Sequence, residues 1–256
     1  MTTQDIHKNP FPRKNPPIYI GRFAPTPSGA LHFGSLVTAL GSYLDAKAHK
    51  GRWLLRIEDI DRNRSQRQAI TTIYHQLETL QLHWDGKIRL QSQHLNDYAH
   101  ALTQLQPHLY YCTCSRKYWQ PTAPQGALGA IYPRHCQNQK TPPPQQNSAI
   151  RLSLPFQTAH FYDRLLGAQQ FTFQKDLGDP ILRRRDGDIA YALAVVVDDA
   201  LQHITHIVRG QDLLAITVLQ NHLQTLLNLP RPTYLHLPLA LTPDRQKLSK
   251  QNHAPP

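Results

Sequence analysis

The sequence predicts an α/β fold in which a parallel sheet is interrupted by an inserted module, and three observations carry that expectation. An apolar run, Ile18-Tyr19-Ile20, leads through the turn Pro25-Thr26-Pro27-Ser28-Gly29 into a segment with Leu36, Val37, Leu40 and Leu44 at helical spacing. The alternation repeats at residues 53–57 and at about 66–82, and strands that alternate with helices of this length form parallel sheets joined by right-handed crossovers. Between residues 110 and 146 the composition shifts to Cys, Pro, Gln and Gly, which breaks the alternation.

Taken in order, residues 1–17 contain Pro10, Pro12, Pro16 and Pro17 without apolar periodicity and read as a flexible leader. A first half of the core is expected over 18–104: a strand at 18–20, a helix over about 35–50, a strand at 53–57 and a helix over about 66–82. The inserted module is placed at 105–185, with Pro142-Pro143-Pro144 as a stiff connector. A second half follows over 186–229. Its stretch 189–197 is almost continuously small or β-branched and apolar, which suits a strand or a buried helix, and 218–229 reads as a helix. The closing segment, 230–256, holds a strand-like run at 234–239 and then Lys247-Leu248-Ser249-Lys250-Gln251. No internal repeat is evident.

With 256 residues, 40% of them apolar, the chain can build a sizeable core. Lys and Arg outnumber Asp and Glu by 28 to 17, a net charge of +11 that favours a polyanionic partner, nucleic acid first, although solvated surface charge is the plain alternative. No run approaches the ~20 apolar residues of a membrane span, and the first residues lack the apolar core of a signal peptide. A cytoplasmic protein is therefore expected. Three cysteines are an odd number for a disulfide framework, and Cys112 and Cys114 stand too close for an ordinary bridge. Cys112, Cys114 and Cys136 with the phenol of Tyr132 are near enough in sequence to close around one tetrahedral Zn²⁺. His135 is an alternative fourth ligand, and three reduced thiols are the bland alternative. The other histidines among the fifteen show no spacing for a second metal site and read as surface or packing residues.

Other residues point to chemistry on phosphates. His32 and Gly34 stand where the turn enters a helix, a position that presents backbone donors and an imidazole to a nucleotide. Lys250 offers a mobile cation, with Lys247 as the weaker second lysine. Arg183-Arg184-Arg185 reads equally as a nucleic-acid backbone contact or as a solvated face. Asp198-Asp199 stands out without a role.

His32-Phe33-Gly34-Ser35 and Lys247-Leu248-Ser249-Lys250 together resemble the HIGH and KMSKS signatures of the class I aminoacyl-tRNA synthetases. The start Arg22-Phe23-Ala24-Pro25-Thr26-Pro27-Ser28-Gly29, the segment Arg56-Ile57-Glu58-Asp59-Ile60-Asp61 and Arg209-Gly210-Gln211-Asp212-Leu213 narrow the resemblance to the glutamate-specific branch. Ser35 in place of the second histidine, Lys247-Leu248-Ser249-Lys250-Gln251, Cys112-Thr113-Cys114 and the stretch from Ala190 to Asp199 are similar to the glutamyl-queuosine tRNA(Asp) synthetases, over residues 18–254.

That resemblance implies a Rossmann-type class I catalytic core with an inserted zinc-binding module. It implies ATP with Mg²⁺ and L-glutamate as substrates, activation of glutamate without tRNA, and transfer to the queuosine base at the wobble position of tRNA(Asp), whose anticodon stem-loop is the partner. Minimal glutamyl-tRNA synthetase activity at a tRNA 3′ end, or a non-catalytic RNA-binding relic, are the rival expectations. His32 and Lys250 take the catalytic positions, and His32, Gly34 and Lys250 the ATP positions. Arg22, Phe23, Ala24, Pro25, Thr26, Glu58, Tyr191 and Arg209 take the glutamate positions, with Glu58 toward the ammonium and Arg22 and Arg209 toward carboxylates. Tyr132 matches the family's fourth metal ligand, although the stretch from Cys114 to Tyr132 is longer than is usual there. With no sequence after residue 256, an anticodon-binding region is not expected, and a monomer is.

Overall fold

The computed structural model describes residues 18–137 and 147–241. The expected leader, the Pro142-Pro143-Pro144 connector and the segment holding Lys247 and Lys250 lie outside the described residues.

Strand β1 (Ile20–Phe23) is buried from Gly21 to Phe23 and runs parallel to β2 (Arg52–Ile57), with Arg22 opposite Leu54. Helix α1 (Phe33–Ala48) makes the crossover between them. Helix α2 (Arg67–Thr79) returns to the short parallel strand β3 (Arg89–Leu90), and α3 (Leu95–Gln104) closes the first half. On α2 the buried residues Ala69, Ile73 and Leu77 recur every fourth position, the single apolar stripe of a helix laid on a sheet. Ile73 and Leu77 join Phe23, Leu31, Trp53 and Leu55 in one core.

The chain then builds a smaller antiparallel sheet. Strand β4 (Leu109–Cys112) leads into the short helix α4 (Arg116–Trp119) and the tight pair β5 (Gln125–Gly126) and β6 (Gly129–Ala130). Strand β7 (Ala149–Leu152) pairs with β4, placing Ala149 opposite Cys112. The hairpin of β8 (Thr158–Asp163) and β9 (Gly167–Thr172) follows, then β10 (Ile181–Arg183) on the other edge of β7.

Helix α5 (Tyr191–Leu201), strand β11 (His206–Gly210), helix α6 (Leu214–Leu226) and strand β12 (Thr233–Leu237) complete the described fold. Strands β11 and β12 are parallel, and β12 meets β8 at Tyr234 and Asp163. Strand β11 lies alongside β1, where the Thr205 N–H donates to the Ile20 carbonyl at 2.9 Å. The main sheet therefore runs β3-β2-β1-β11-β12-β8-β9, with α1 packed on β1, β2 and β11. Chain direction across the sheet reverses between β1 and β11, the switch point at whose carboxyl edge open α/β sheets hold ligands. No described helix is long and apolar enough to cross a membrane.

The structure settles one open reading, adds one element and joins the insert to the main sheet. From Tyr191 onward the stretch 189–197 takes the second of its two expected forms, a buried helix, and Ala192 to Asp199 are all buried, so its lack of amphipathic period reflects enclosure on every side. Strand β11 was not anticipated, because His206 and Arg209 interrupt its apolar pattern. The hairpin of β8 and β9 falls inside the span expected for the insert, yet β8 is bonded to β12 of the main sheet.

Candidate active site

A cleft of about 730 Å³ opens at the carboxyl ends of β1 and β11, and Arg22, Phe23, Ala24, Pro25, Thr26, His32, Gly34, Tyr191 and Arg209 all line it. A second cavity of about 380 Å³ adjoins it, sharing Thr26, Arg64 and Tyr191, and is lined by Glu58. The Pro/Gly turn between β1 and α1 is pinned at both ends: Glu58 N–H donates to the Pro25 carbonyl at 3.0 Å and Gln66 N–H to that of Pro27 at 2.8 Å.

His32 caps α1. Its Nδ1 accepts from the Ser35 N–H at 3.3 Å, and Ser35 Oγ lies 3.1 Å from Nε2. Gly34 lets the ring lie against the backbone, since a Cβ there would stand 3.1 Å from His32 Cε1. A helix N-terminus with an imidazole on it attracts anions through its free N–H groups and aligned peptide dipoles. Ser35, which departs from the HIGH signature, thus touches the ring of the histidine that is retained.

Below the cleft lies a buried ionic cluster. Asp199 Oδ1 meets Arg22 Nε at 3.2 Å and Arg56 Nη1 at 2.8 Å, while Asp198 accepts from Arg89 Nε at 2.7 Å, Gln91 at 2.7 Å and the Tyr98 hydroxyl at 3.0 Å. Burial pushes the Asp199 carboxyl up, but Arg22 and Arg56 outweigh it and hold it below the usual carboxylate range. Glu58 has the opposite balance. Burial pushes its carboxyl up to about 7 against the pull of Arg56 and Arg22, its nearest cation being Arg56 at 3.6 Å. Glu58 Oε1 is buried without a hydrogen bond among the described residues, an arrangement that costs about 1–3 kcal/mol until a donor arrives.

Arg209 approaches from β11. Its Nε donates to His236 Nε2 at 3.1 Å, and its Nη2 to Thr217 Oγ1 at 2.7 Å and Gln220 Oε1 at 2.8 Å. Nη1 is buried with no hydrogen-bond partner among the described residues. Burial raises the Tyr191 hydroxyl above its ordinary range. The two adjoining cavities, which share Tyr191, thus present an unmatched acceptor at Glu58 in one and an unmatched cationic donor at Arg209 in the other, the complement of an ammonium and a carboxylate.

The structure also brings together the three cysteines. Their sulfurs lie within 4.8 Å of one another. Cys114 Sγ is 3.3 Å from Cys136 Sγ and 3.2 Å from the Tyr132 hydroxyl, which accepts from the Cys136 N–H at 2.9 Å. His135 is exposed and does not join this group, its ring standing edge-on to Tyr132 at 6.4 Å. Burial raises the Cys136 thiol, but hydrogen bonds from Tyr132 and the Thr113 backbone win and bring it to about 7. Three convergent thiols and a phenol are a donor set that suits a soft divalent ion. Arg151 stacks on the Tyr132 ring at 3.8 Å and lines the second cavity, so the cysteine cluster borders the site. In the basic run, Arg185 donates to the Thr113 carbonyl at 2.7 Å and Arg184 lines the second cavity.

Arg56, Asp198, Thr217, Gln220, His236 and Asp163 were not expected at the site, and Asp199 had no role. The available signal was polarity in apolar surroundings: Arg56 within Trp53-Leu54-Leu55-Arg56-Ile57, the Asp pair on an otherwise apolar helix, and His236 between leucines.

The family model for class I tRNA synthetases (E and Q), catalytic domain, matches residues 20–255. A glutamyl-Q tRNA(Asp) synthetase from Ectopseudomonas mendocina is 50% identical over 240 residues, 93% of this chain and 79% of the relative. That of Escherichia coli K12 is 50% identical over 239 residues, 93% of this chain and 75% of the relative. Among solved structures, a glutamate tRNA ligase from Elizabethkingia meningosepticum in complex with its amino acid superposes with a TM-score of 0.79 at 26% identity, over 91% of this chain and 52% of that one. The chain thus spans about half the length of that ligase. Tyrosyl-tRNA synthetase from Archaeoglobus fulgidus, at 14% identity and a TM-score of 0.50, shares the fold.

Proposed function

The chain belongs to the class I tRNA synthetases of the E and Q type, in the glutamyl-Q tRNA(Asp) synthetase branch, and from that premise we propose that it activates L-glutamate with ATP, without tRNA, and transfers it to the queuosine base at the wobble position of tRNA(Asp). The observation that carries this reading is the unmatched pair across Tyr191, the Glu58 oxygen and the Arg209 nitrogen. An amino acid with a second carboxylate supplies the missing partners.

Glu58 receives the substrate ammonium, and Arg22 and Arg209 take its carboxylates, with Phe23 to Thr26 and Tyr191 shaping the pocket. The α-carboxylate oxygen attacks the α-phosphorus of ATP, and the bond to pyrophosphate breaks. His32 and the N–H groups around Gly34 meet the phosphate charge that develops, Lys250 approaches from its own segment, and Mg²⁺ accompanies the nucleotide. A hydroxyl on the cyclopentenediol of queuosine then attacks the glutamyl carbonyl carbon, and AMP leaves. The second cavity supports entry of that nucleoside, since Arg151 Nε and Trp119 Nε1, without hydrogen-bond partners among the described residues, offer donors beside Tyr191, and Arg116 and Arg184 offer charge for the anticodon stem-loop backbone. Cys112, Cys114, Cys136 and Tyr132 would hold one Zn²⁺, which when bound supplies a structural cross-link. We read the protein as a cytoplasmic monomer.

The test offers labelled glutamate and ATP with tRNA(Asp) from cells able and unable to make queuosine, and with queuosine-containing tRNA(Asp) whose 3′-terminal nucleotide has been removed enzymatically. Pyrophosphate exchange without tRNA and labelling that requires queuosine are expected. Labelling that depends on the terminal ribose would indicate a minimal glutamyl-tRNA synthetase, and no exchange at all a non-catalytic relic.

A further inference from the structure

Behind Arg209 stand two groups, His236 and Asp163, that the chemistry above does not use. Both are fully buried, and His236 Nδ1 lies 2.6 Å from Asp163 Oδ2. The sheet places them: β12 lies between β11 and β8, so the ladder sets His236 opposite Arg209 and Asp163 opposite Tyr234, two residues away on the same face. Phe161 and Tyr234 pack their rings against the imidazole, which leaves it little freedom to turn.

The protons in this chain of groups follow from its acceptors. Asp163 Oδ1 accepts from the backbone N–H groups of Leu165 at 3.0 Å, Leu166 at 2.9 Å and His236 at 3.3 Å. Burial raises the Asp163 carboxyl, but these bonds and the imidazole outweigh it and keep the carboxylate charged. A carboxylate only accepts, so Nδ1 carries the ring proton and Nε2 presents a bare lone pair. That lone pair receives the Arg209 Nε–H at 3.1 Å. Burial and the Arg209 charge push His236 down to about 4, against the pull of Asp163, so the ring stays neutral.

Arg22 shows what a direct pairing does. It is bound to Asp199, so a carboxylate offsets its charge at close range. Arg209 is held instead by an uncharged imidazole, a hydroxyl and an amide, all of which fix its plane without cancelling its charge. With Nε and Nη2 occupied, Nη1 is the nitrogen left for a ligand.

We propose that Asp163 and His236 are positioning residues: through the Nε2 lone pair they lock the Arg209 guanidinium so that Nη1 meets a substrate carboxylate at full charge, and they thereby set affinity for glutamate and selectivity for its length. This rests on the reading of the cleft as a glutamate site.

Pyrophosphate exchange with His236→Leu and His236→Gln tests it. Gln can offer an oxygen near the place of Nε2, whereas Leu offers no acceptor. His236→Leu should raise the KM for glutamate roughly ten- to hundredfold, the span that hydrogen bonds to a charged group are worth. Its kcat and KM for ATP should hold, its preference for L-glutamate over L-α-aminoadipate should shrink, and His236→Gln should recover most of the loss. In the wild type, ¹⁵N spectra of the imidazoles should show one ring protonated at Nδ1 and bare at Nε2 through the range where free histidines titrate. An unchanged glutamate KM in His236→Leu, an equal loss in both variants with kcat and ATP KM moving together, or a proton on Nε2 would overturn the proposal. Should His236→Leu not fold, His236→Gln and the wild-type spectra decide. A wild type without glutamate-dependent exchange would sink the glutamate reading and this inference with it, whereas an active wild type beside an unaltered His236→Leu sinks this inference alone.

Discussion

The cleft proposed for glutamate and the cysteine cluster adjoin one another but are ordered by different means. Around the cleft, Arg22, Arg56, Asp198 and Asp199 are buried between the main sheet and helix α5, and each charge meets an opposite charge within the fold. The cysteine cluster has a small core of its own, Cys112, Trp119, Tyr132 and Cys136, joined to the rest through Arg151 and the short strands β4 and β7. A site embedded in the main core is preorganised before any ligand arrives. One built on so few apolar residues gains order from what its ligands bind. The difference predicts opposite responses to the removal of charges and of metal.

The largest effect should come from Asp199→Ala, which leaves Arg22 and Arg56 buried without their shared carboxylate. A loss of about 3–5 kcal/mol in unfolding free energy is expected from denaturant titration, together with loss of glutamate binding. A variant that keeps wild-type stability would show that the cluster is solvated and that the cleft is not preorganised by it.

Glu58→Gln should move stability the other way. Because the folded carboxyl sits at about 7, above its unfolded value, its protonated form is favoured in the fold. Its contribution is complete below the unfolded pKa and is lost as pH rises through about 7. Above that, Glu58→Gln should exceed the ligand-free wild type by up to ~3 kcal/mol, and below about pH 4 the two should converge. The same variant should bind glutamate more weakly, having lost the charge proposed to face the ammonium. The difference between the two unfolding curves across pH measures this, and a constant offset would refute the assignment.

Metal removal should act locally. Elemental analysis is expected to find about one Zn²⁺ per chain. A chelator should expose the stretch between residues 110 and 137 to protease while the strands of the main sheet remain protected in hydrogen exchange, and pyrophosphate exchange should fall less than transfer to tRNA. Equal loss of protection in both regions would erase the contrast between them.

The smallest effect belongs to Ser35→Ala, which removes one hydroxyl from the His32 ring. A change of about 0.5–1.5 kcal/mol, or roughly two- to tenfold in exchange rate, is the scale of one hydrogen bond. No change would assign the Ser35 hydroxyl to packing.

Much of this was legible without coordinates. The strand, turn and helix at residues 18–50, the crossover at 53–82 and the helix near 218–229 follow from periodicity, because apolar spacing of 3.6 or 2 is imposed by the faces that must be buried. His32 and Gly34 at a helix start, the three spaced cysteines, and Arg22, Glu58 and Arg209 within local motifs were also visible, since each signature is contiguous in the chain.

What the sequence by itself determined is the kind of sheet, the residues in its signature turns and the donor set of the cysteine cluster, all matters of local spacing. Tertiary structure alone decided which distant charges meet: Asp199 with Arg22 and Arg56, Asp163 with His236, and His236 with Arg209. Those pairs are separated by up to 177 positions, and no periodicity records them. A buried charge has no intrinsic partner, and only the packing of helix α5 against β1 and β2, and of strands in the order β11-β12-β8, brings one within reach and excludes the water that would otherwise serve.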